Sequence, residues 1–343
     1  MKKFYSIIGC LLFLGIGTAF GQSDELILKN GDQIHGELSK LVRNSIYFDA
    51  DYGDEDFKID WDDIMYFKTD RPFSIYLKGG ERYYATFETD PSDSTAFIIR
   101  PVGSNDYFNT HRNRVVSIQT ANTKFSDRFS MGLGLGYTFT KAKNVQQLTA
   151  QANAKYRAIN WSLEGNVKTV NNSQDETTPT HRTDGSIAYN WTFYQSWFTG
   201  AGVTFLSNDE QKLSLRTSTQ ARIGTYLART HTLDLLVSTG MAWTNENYSD
   251  PSIASANSAE AVLSAAFSIF GFGDFSINSS VDSYANLNTA GRYRVDFTVD
   301  ISWDLPKGFL LKAGNTTNYD SKPVSPEAGT VDYVYYTTFG WKF

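Results

Sequence analysis

The sequence predicts an all-β protein in which a transmembrane antiparallel β-barrel of about 12 strands follows two small β-modules. The composition is the first observation, since 15% of the 343 residues are aromatic while only eight are proline and one is cysteine. The second is an alternation of apolar and polar positions from residue 127 onward, and the third is a repeat of about fifty residues before it. Aromatic enrichment and a period of two both favour strands.

The first residues are typical of a secretory signal peptide, which we assign to residues 1–21. Lys2 and Lys3 precede an apolar run over residues 7–16, and Ala19 and Gly21 fit a small-x-small cleavage site. A membrane-anchor helix is the alternative, but the run is shorter than the roughly 20 residues that a span needs. Without this segment the chain has no cysteine, which suits an exported protein.

Charge is unevenly distributed along the chain. Residues 22–120 contain 11 Lys and Arg against 18 Asp and Glu, whereas residues 121–343 contain 18 against 19. An acidic part therefore precedes a nearly neutral one. Nucleic-acid binding requires a basic face, so no nucleic acid partner is expected.

The acidic part contains an internal repeat. LILKNGDQIHGEL at 26–38 returns as IYLKGGERYYATF at 75–87, and DDIMYFKT at 62–69 returns as NRVVSIQT at 113–120. In each copy a glycine turn joins two short alternating runs, which predicts a hairpin. We expect two β-modules, over 22–70 and 71–122.

The segment LKNGDQIHGEL resembles the first motif of Sm-like small β-barrels, with Gly36 as the bending glycine of the second strand. The resemblance implies an SH3/Sm-like fold for the modules. RNA binding is not implied, because Val42 stands where those proteins carry aspartate and no Arg-Gly motif follows Trp61.

The densest run of acids, DADYGDEDFKIDWDD at 49–63, suggests either a cation site or a solvated hairpin face. The EF-hand register fails, because Gly53 falls at the fifth loop position and Asp54 at the sixth, where glycine is required. A solvated face is the preferred interpretation, and neither a metal nor a cofactor is expected.

From residue 123 to 343 the pattern predicts a membrane barrel. In RYRVDFTVDISWD at 292–304, apolar and polar residues alternate without exception. A soluble sandwich is the alternative, but several alternating segments exceed the 5 to 6 residues of an average strand, and aromatic residues gather at their ends. Twelve segments are predicted, at 128–140, 145–157, 159–170, 182–193, 196–206, 212–227, 230–244, 259–271, 274–285, 291–304, 307–319 and 331–343.

The connections between these segments alternate between long loops and short turns, which predicts long loops outside the cell and short turns in the periplasm. The polar positions of the strands predict the lumen. Lys155, Asp234 and Lys342 face inward, and the candidates for the lumen lining are Glu164, Lys168, Arg216, Arg222, Asp282, Arg292, Arg294, Asp296, Asp300 and Lys312. Structural charge pairing is the first interpretation of this mixed set, and a selective pore lining is the second.

The last residues, YVYYTTFGWKF, predict the closing strand of the barrel and an assembly signal composed of Tyr336, Phe339, Trp341 and Phe343. A closing strand must pair with the first one, because an open edge in lipid would leave backbone groups unpaired. The pattern differs from the usual signal at Thr338, where glycine is expected.

The signal peptide, the LKNGDQIHGEL module, the Trp61–Ile64 segment WDDI and the Phe-terminated barrel together resemble the YdiY-like salt-induced outer-membrane protein family, a domain of unknown function. The resemblance implies an outer-membrane barrel, and it supplies neither a ligand nor a catalytic residue.

We expect an outer-membrane barrel with a periplasmic acidic domain, without enzymatic activity, acting in envelope integrity or stress and open as a narrow passive channel. A membrane-anchored periplasmic scaffold is one alternative, and an outer-membrane hydrolase is another. His181 and His231 are predicted at opposite rims, which disfavours the hydrolase. The expected partners are outer-membrane lipid, the barrel-insertion machinery and a periplasmic partner of residues 22–120.

Overall fold

The structure is a computed structural model that describes residues 24–50, 56–120, 125–140, 145–158, 160–175, 177–323 and 329–342. The predicted signal peptide, residues 51–55 of the acidic run and the terminal Phe343 lie outside the described residues.

The N-terminal domain contains ten strands in two halves with the same order of elements. Each half has four strands, a single 3-10 turn and a fifth strand, in agreement with the sequence repeat. The first half contains β1 Asp24–Leu28, β2 Gln33–Val42, β3 Ser45–Ala50, β4 Phe57–Asp60, the turn Trp61–Asp63 and β5 Ile64–Lys68. The second contains β6 Phe73–Leu77, β7 Arg82–Asp90, β8 Asp93–Pro101, β9 Phe108–His111, the turn Arg112–Arg114 and β10 Val115–Thr120.

Strands from the two halves pair with each other and close one ring. Within each half the first strand pairs with the second and the fifth, but β5 then pairs with β7 and β10 pairs with β2. The result is one ring of six strands, β1-β5-β7-β6-β10-β2, inside a ten-stranded sheet. Hydrogen bonds of Thr69 and Thr89 connect the two halves. The Phe67 amide donates to Thr89 Oγ1 at 2.9 Å, and the Thr69 amide donates to the Phe87 carbonyl at 3.0 Å.

One hydrophobic core serves both halves. The rings of Phe67 and Phe87, one from each half, meet edge to face with centroids 5.1 Å apart, and Trp61 packs against Phe97 at 5.5 Å. These side chains are buried in a single cluster with the apolar faces of β1, β2, β6 and β7. The repeats therefore share one core, where the sequence suggested two tandem modules.

The C-terminal domain is a closed antiparallel barrel of twelve strands, and each predicted segment overlaps one of them, although eight of the strands extend past the predicted bounds by one to four residues. A short helix, α1 Phe125–Arg128, precedes it. The strands are β11 Phe129–Thr140, β12 Val145–Arg157, β13 Trp161–Ser173, β14 Thr180–Tyr194, β15 Trp197–Asn208, β16 Leu213–Arg229, β17 Leu233–Tyr248, β18 Ala256–Phe272, β19 Phe275–Asn286, β20 Tyr293–Asp304, β21 Phe309–Asp320 and β22 Val331–Lys342, with a 3-10 turn at Pro306–Gly308. Among the described residues, no helix is both long and apolar enough to cross a membrane.

The closing strand β22 pairs with β11, as the sequence predicts. This seam is short, because the register joins only residues 132–135 to residues 339–342. Glycine permits the approach of the two strands: a Cβ atom on Gly340 would lie 2.3 Å from the carbonyl oxygen of Leu133.

The outer surface of the barrel is apolar. Leu135, Leu263 and Tyr335 are 67%, 63% and 71% exposed, and they belong to the alternating rows predicted to face lipid. Aromatic rings stack along the surface beside the short turns, as in Tyr156 against Trp161 at 5.1 Å and Phe275 against Trp303 at 5.3 Å. An apolar exterior of this kind is matched to lipid, since a water-exposed protein seldom leaves so large a contiguous apolar surface uncovered.

The strand pairing between the two N-terminal halves leads to a testable prediction. Residues 22–70 alone contain β1–β5 but lack β7 and β10, so β5 and β2 each lose a pairing partner. Two copies can supply these edges to each other, and we expect the isolated fragment to form a dimer, while residues 22–122 form a monomer. Size-exclusion chromatography with light scattering measures both masses. A folded monomer of residues 22–70 would contradict the shared closure.

Candidate functional site

An ion-pair network crosses the barrel lumen in the half next to the long loops. Arg216 on β16 lies 2.6 Å from Glu246 on β17 and 3.5 Å from Asp320 on β21. Arg292, directly before β20, binds the same two carboxylates at 2.9 and 2.7 Å. Since β16 and β21 are five strands apart in a ring of twelve, these contacts join nearly opposite walls.

A second branch of the network starts at Arg182 on β14. Its guanidinium lies 2.9 Å from Asp184 and 2.5 Å from Asp332 on β22, and it also donates to Asn318 on β21. Asn208 on β15 donates to Asp332 at 2.7 Å, which is another contact between distant walls.

The third branch pairs Arg294 on β20 with Glu260 on β18 at 2.5 Å. Arg294 is 3% exposed and Glu260 is 1% exposed. Thr244 donates to the same carboxylate at 2.7 Å, and the Arg294 guanidinium lies 4.6 Å above the Tyr284 ring. Burial of these charges requires pairing of this quality, because an isolated buried charge is strongly unfavourable.

We call these three branches the lumen network, which consists of Arg182, Arg216, Arg292, Arg294, Asp184, Glu246, Glu260, Asp320 and Asp332. A cavity of about 10 Å³ remains between Arg216, Arg292 and Tyr248, which is room for about one water molecule. Lower in the barrel, Lys168 on β13 donates to Thr316 on β21 at 2.6 Å and again bridges distant strands. Contacts between described side chains therefore connect distant walls of the barrel from its middle to the long-loop end.

The predicted lumen residues fall into three groups. Arg216, Arg292 and Arg294 belong to the lumen network, while Glu164 and Arg222 lie near the short turns. The other five lie on inward positions of β13 and β19–β21. Lys168 lies 4.3 Å above the Tyr336 ring, Asp282 accepts from Ser264 at 2.5 Å, Asp296 accepts from Asn318, Asp300 accepts from Tyr336, and Lys312 is opposite Thr338.

The acidic half of the lumen network was not predicted. Glu246 and Asp320 lie in strands that continue beyond their predicted ends at 244 and 319, and Arg182 is at the predicted start of its strand. The sequence contains one indication that these strands are longer, because charged and other residues continue to alternate past the predicted ends, as in Asn245, Glu246 and Asn247.

The predicted assembly-signal residues lie on both faces of β22. Tyr336 is buried in the lumen, whereas Phe339 and Trp341 are 52% and 51% exposed on the outer surface. Phe343 lies outside the described residues, so its contribution stays a prediction.

The N-terminal domain packs on the short-turn end of the barrel. Lys58 lies 2.8 Å from Asp274 in the β18–β19 turn, and Arg82 donates to Asn160 in the β12–β13 turn. Burial lowers the pKa of Lys58, but the hydrogen bond and the charge of Asp274 outweigh it and raise that pKa. The fit is close, because a Cβ atom on Gly80 would lie 2.2 Å from the carbonyl carbon of Gln195.

The histidines and the acidic run form no reactive cluster in the described part of the chain. His181 Nδ1 lies 2.7 Å from Asn171 Oδ1 beside a long loop, while His231 is in the β16–β17 turn under the N-terminal domain. Burial lowers the pKa of His231 and outweighs the charge of Asp62, which raises it. No group of three or more His, Cys, Asp or Glu among the described residues is arranged to hold a metal ion.

Comparison with known proteins places residues 133–343 in a sequence family, DUF481, described as a protein of unknown function. No curated protein sequence matches the chain. Among solved structures, the chain is similar to the KdgM porin in complex with disordered oligogalacturonate, at 12% identity and a TM-score of 0.35 over 62% of this chain and 99% of that one.

The NanC porin matches at 7% identity and a TM-score of 0.38, over 62% of this chain and 97% of that one. Acinetobacter baumannii OccAB3 matches at 9% identity and a TM-score of 0.28, over 94% and 96%. Because these identities and TM-scores are low, the description of the barrel rests on the strand pairing of this chain.

The pairing of Arg294 with Glu260 generates a prediction about stability. Arg294→Met leaves Glu260 buried beside Thr244 without its cation, and we expect a loss of roughly 3 to 5 kcal/mol in the free energy of unfolding. Arg294→Met/Glu260→Met removes both charges and should be more stable than the single variant. Urea unfolding of the protein in detergent micelles, followed by tryptophan fluorescence, measures both. Lys312→Met is the matched control, because Lys312 forms no ion pair among the described residues; a single variant as stable as this control would contradict the account.

Proposed function

We propose that this chain, which belongs to the DUF481 family of proteins of unknown function, is an outer-membrane β-barrel with a closed lumen that anchors its N-terminal domain in the periplasm. The observation that carries the proposal is the lumen network, which joins opposite walls of the barrel. The role is that of a membrane-bound binding or scaffold protein of the cell envelope.

The apolar exterior supports the membrane location. A closed barrel leaves no unpaired strand edge, which is the condition for a β-protein to span lipid. The predicted signal peptide and the long loops on one end support the orientation, with the short turns and the N-terminal domain in the periplasm. In this orientation the barrel-insertion machinery and outer-membrane lipid are its partners.

The closed lumen favours a scaffold over the narrow passive channel expected from the sequence. A solute passing through would have to break the contacts of Arg216 and Arg182 with carboxylates on distant strands, and each break leaves a buried charge unpaired. The N-terminal domain lies over the other end. Charge pairing, the first interpretation of the inward-facing residues, accounts for the observed contacts.

We further propose that the N-terminal halves derive from SH3/Sm-like repeats and offer a binding surface to a periplasmic partner. The repeated order of four strands, a 3-10 turn and a fifth strand supports the origin. A role in envelope integrity or stress, without enzymatic activity, fits this proposal, since His181 and His231 lie at opposite ends of the barrel.

Lipid exposure of the barrel is testable with a matched pair of variants. Leu263, in the middle of β18, is 63% exposed, and Leu287, in a loop, is 58% exposed. Leu263→Arg should reduce the folded fraction in lipid vesicles, because arginine at the bilayer centre costs roughly 2 to 4 kcal/mol in a barrel. Leu287→Arg should behave like the wild type. The heat-modifiable gel shift measures the folded fraction, and equal behaviour of both variants would refute a membrane-spanning barrel.

The closed lumen is testable by planar-bilayer recording. We expect no steady ion current through the folded wild-type protein. Replacement of Arg182, Arg216, Arg292 and Glu246 by serine removes much of the lumen network and should permit a current. A stable current through the wild type, at a conductance unaffected by these substitutions, would contradict the scaffold proposal and support a channel.

A further inference from the structure

A chamber of about 290 Å³ lies between the N-terminal domain and the short-turn end of the barrel. On one side its wall is formed by residues of β6, β7 and β10, including Tyr76 and Arg82. On the other side it is formed by inward positions of β12, β13 and β16. Small-molecule sites usually have volumes of roughly 300 to 1,000 Å³, so this chamber suits a small ligand.

The chamber is cationic within a chain of net charge -6. Five basic side chains line it, one from the N-terminal domain and four from the barrel: Arg82, Lys155, Arg157, Arg222 and Arg229. Glu164 is the one carboxylate among the described lining residues, and it already pairs with Lys155 at 2.6 Å. This balance is opposite to that of the lumen network, where carboxylates outnumber guanidinium groups.

Two of the guanidinium groups form no ion pair with the described residues. In the described part of the chain, Arg157 and Arg222 have no carboxylate within 4.0 Å, and the buried Nε of Arg222 has no hydrogen-bond partner. Like charges held together away from bulk water raise the local potential and attract anions. An anion in the chamber would supply the missing partner.

The remaining arginines lie against aromatic rings, and Arg229 also lies 4.0 Å from Asp234 on β17. Arg229 lies 4.5 Å above Tyr76 and 4.3 Å from Tyr226, and Arg82 lies 5.0 Å above Tyr76. Burial lowers the pKa of Arg82 and outweighs the interaction with Tyr76, which raises it. Stacking fixes the planes of the guanidinium groups, which lets their N–H edges bind the oxygens of a phosphate or carboxylate in pairs.

We propose that this chamber binds a small oxyanion with at least two negative charges, through Arg157 and Arg222 from the barrel and Arg82 and Arg229 at the domain boundary. The anion would bridge the N-terminal domain and the barrel. This site is independent of the closed lumen, because it lies at the opposite end of the barrel from the lumen network.

Isothermal titration calorimetry of the full-length protein, folded in detergent micelles at low salt, tests the proposal. Inorganic pyrophosphate and citrate serve as ligands of suitable size, and acetate serves as the monovalent comparison. We expect saturable binding of at least one multivalent anion, much weaker binding of acetate and a loss of affinity with added salt. Arg157→Gln and Arg222→Gln should each weaken binding about tenfold or more, as expected for the loss of a charge-assisted hydrogen bond.

The matched control is Lys312→Gln, which removes one inward-facing cation that does not line the chamber, and it should leave the affinity within about twofold. The heat-modifiable gel shift verifies that each variant is folded. The absence of binding by both multivalent anions, or an equal loss in Lys312→Gln, would overturn the site.

Discussion

The need to close a ring of strands organises both domains, with twelve strands in the barrel and six in the N-terminal domain. In the barrel the requirement is severe, because no water is available in lipid to satisfy backbone groups at an open edge. The barrel meets it with the seam between β11 and β22. In the N-terminal domain the fifth strand of each half pairs with the second strand of the other half, as β5–β7 and β10–β2.

Closure of the barrel has an electrostatic consequence. Because side chains alternate between the two faces of a strand, about half of those in each strand point into a narrow interior. Charged side chains there must pair or face water. Near the long loops they pair, and Arg216 and Arg182 reach carboxylates on distant strands. Near the short turns the cations outnumber the carboxylates and surround a chamber. The interior is thus fixed at one end and available to an anion at the other.

The sequence predicted the barrel well because its alternation and aromatic residues report directly on the two faces of each strand. All twelve strands lie within or close to their predicted bounds, and β22 closes the ring. The lumen network was only half predicted: Glu246 and Asp320 lie beyond the predicted ends of their strands, while Asp184, Glu260 and Asp332 lie inside predicted strands and were not among the candidates. The mutual closure of the repeats was also missed, because similarity between IYLKGG and LILKNG shows a duplication but not which copy supplies the closing strand.

That exchange of closing strands has an evolutionary consequence. After a tandem duplication, two self-contained copies can diverge separately, and either copy can be lost. Here Phe67 of the first copy packs against Phe87 of the second, and Thr69 and Thr89 bind reciprocally across the junction. Selection therefore acts on the pair as one heritable unit, in which a change in one copy is compensated most directly by a change in the other.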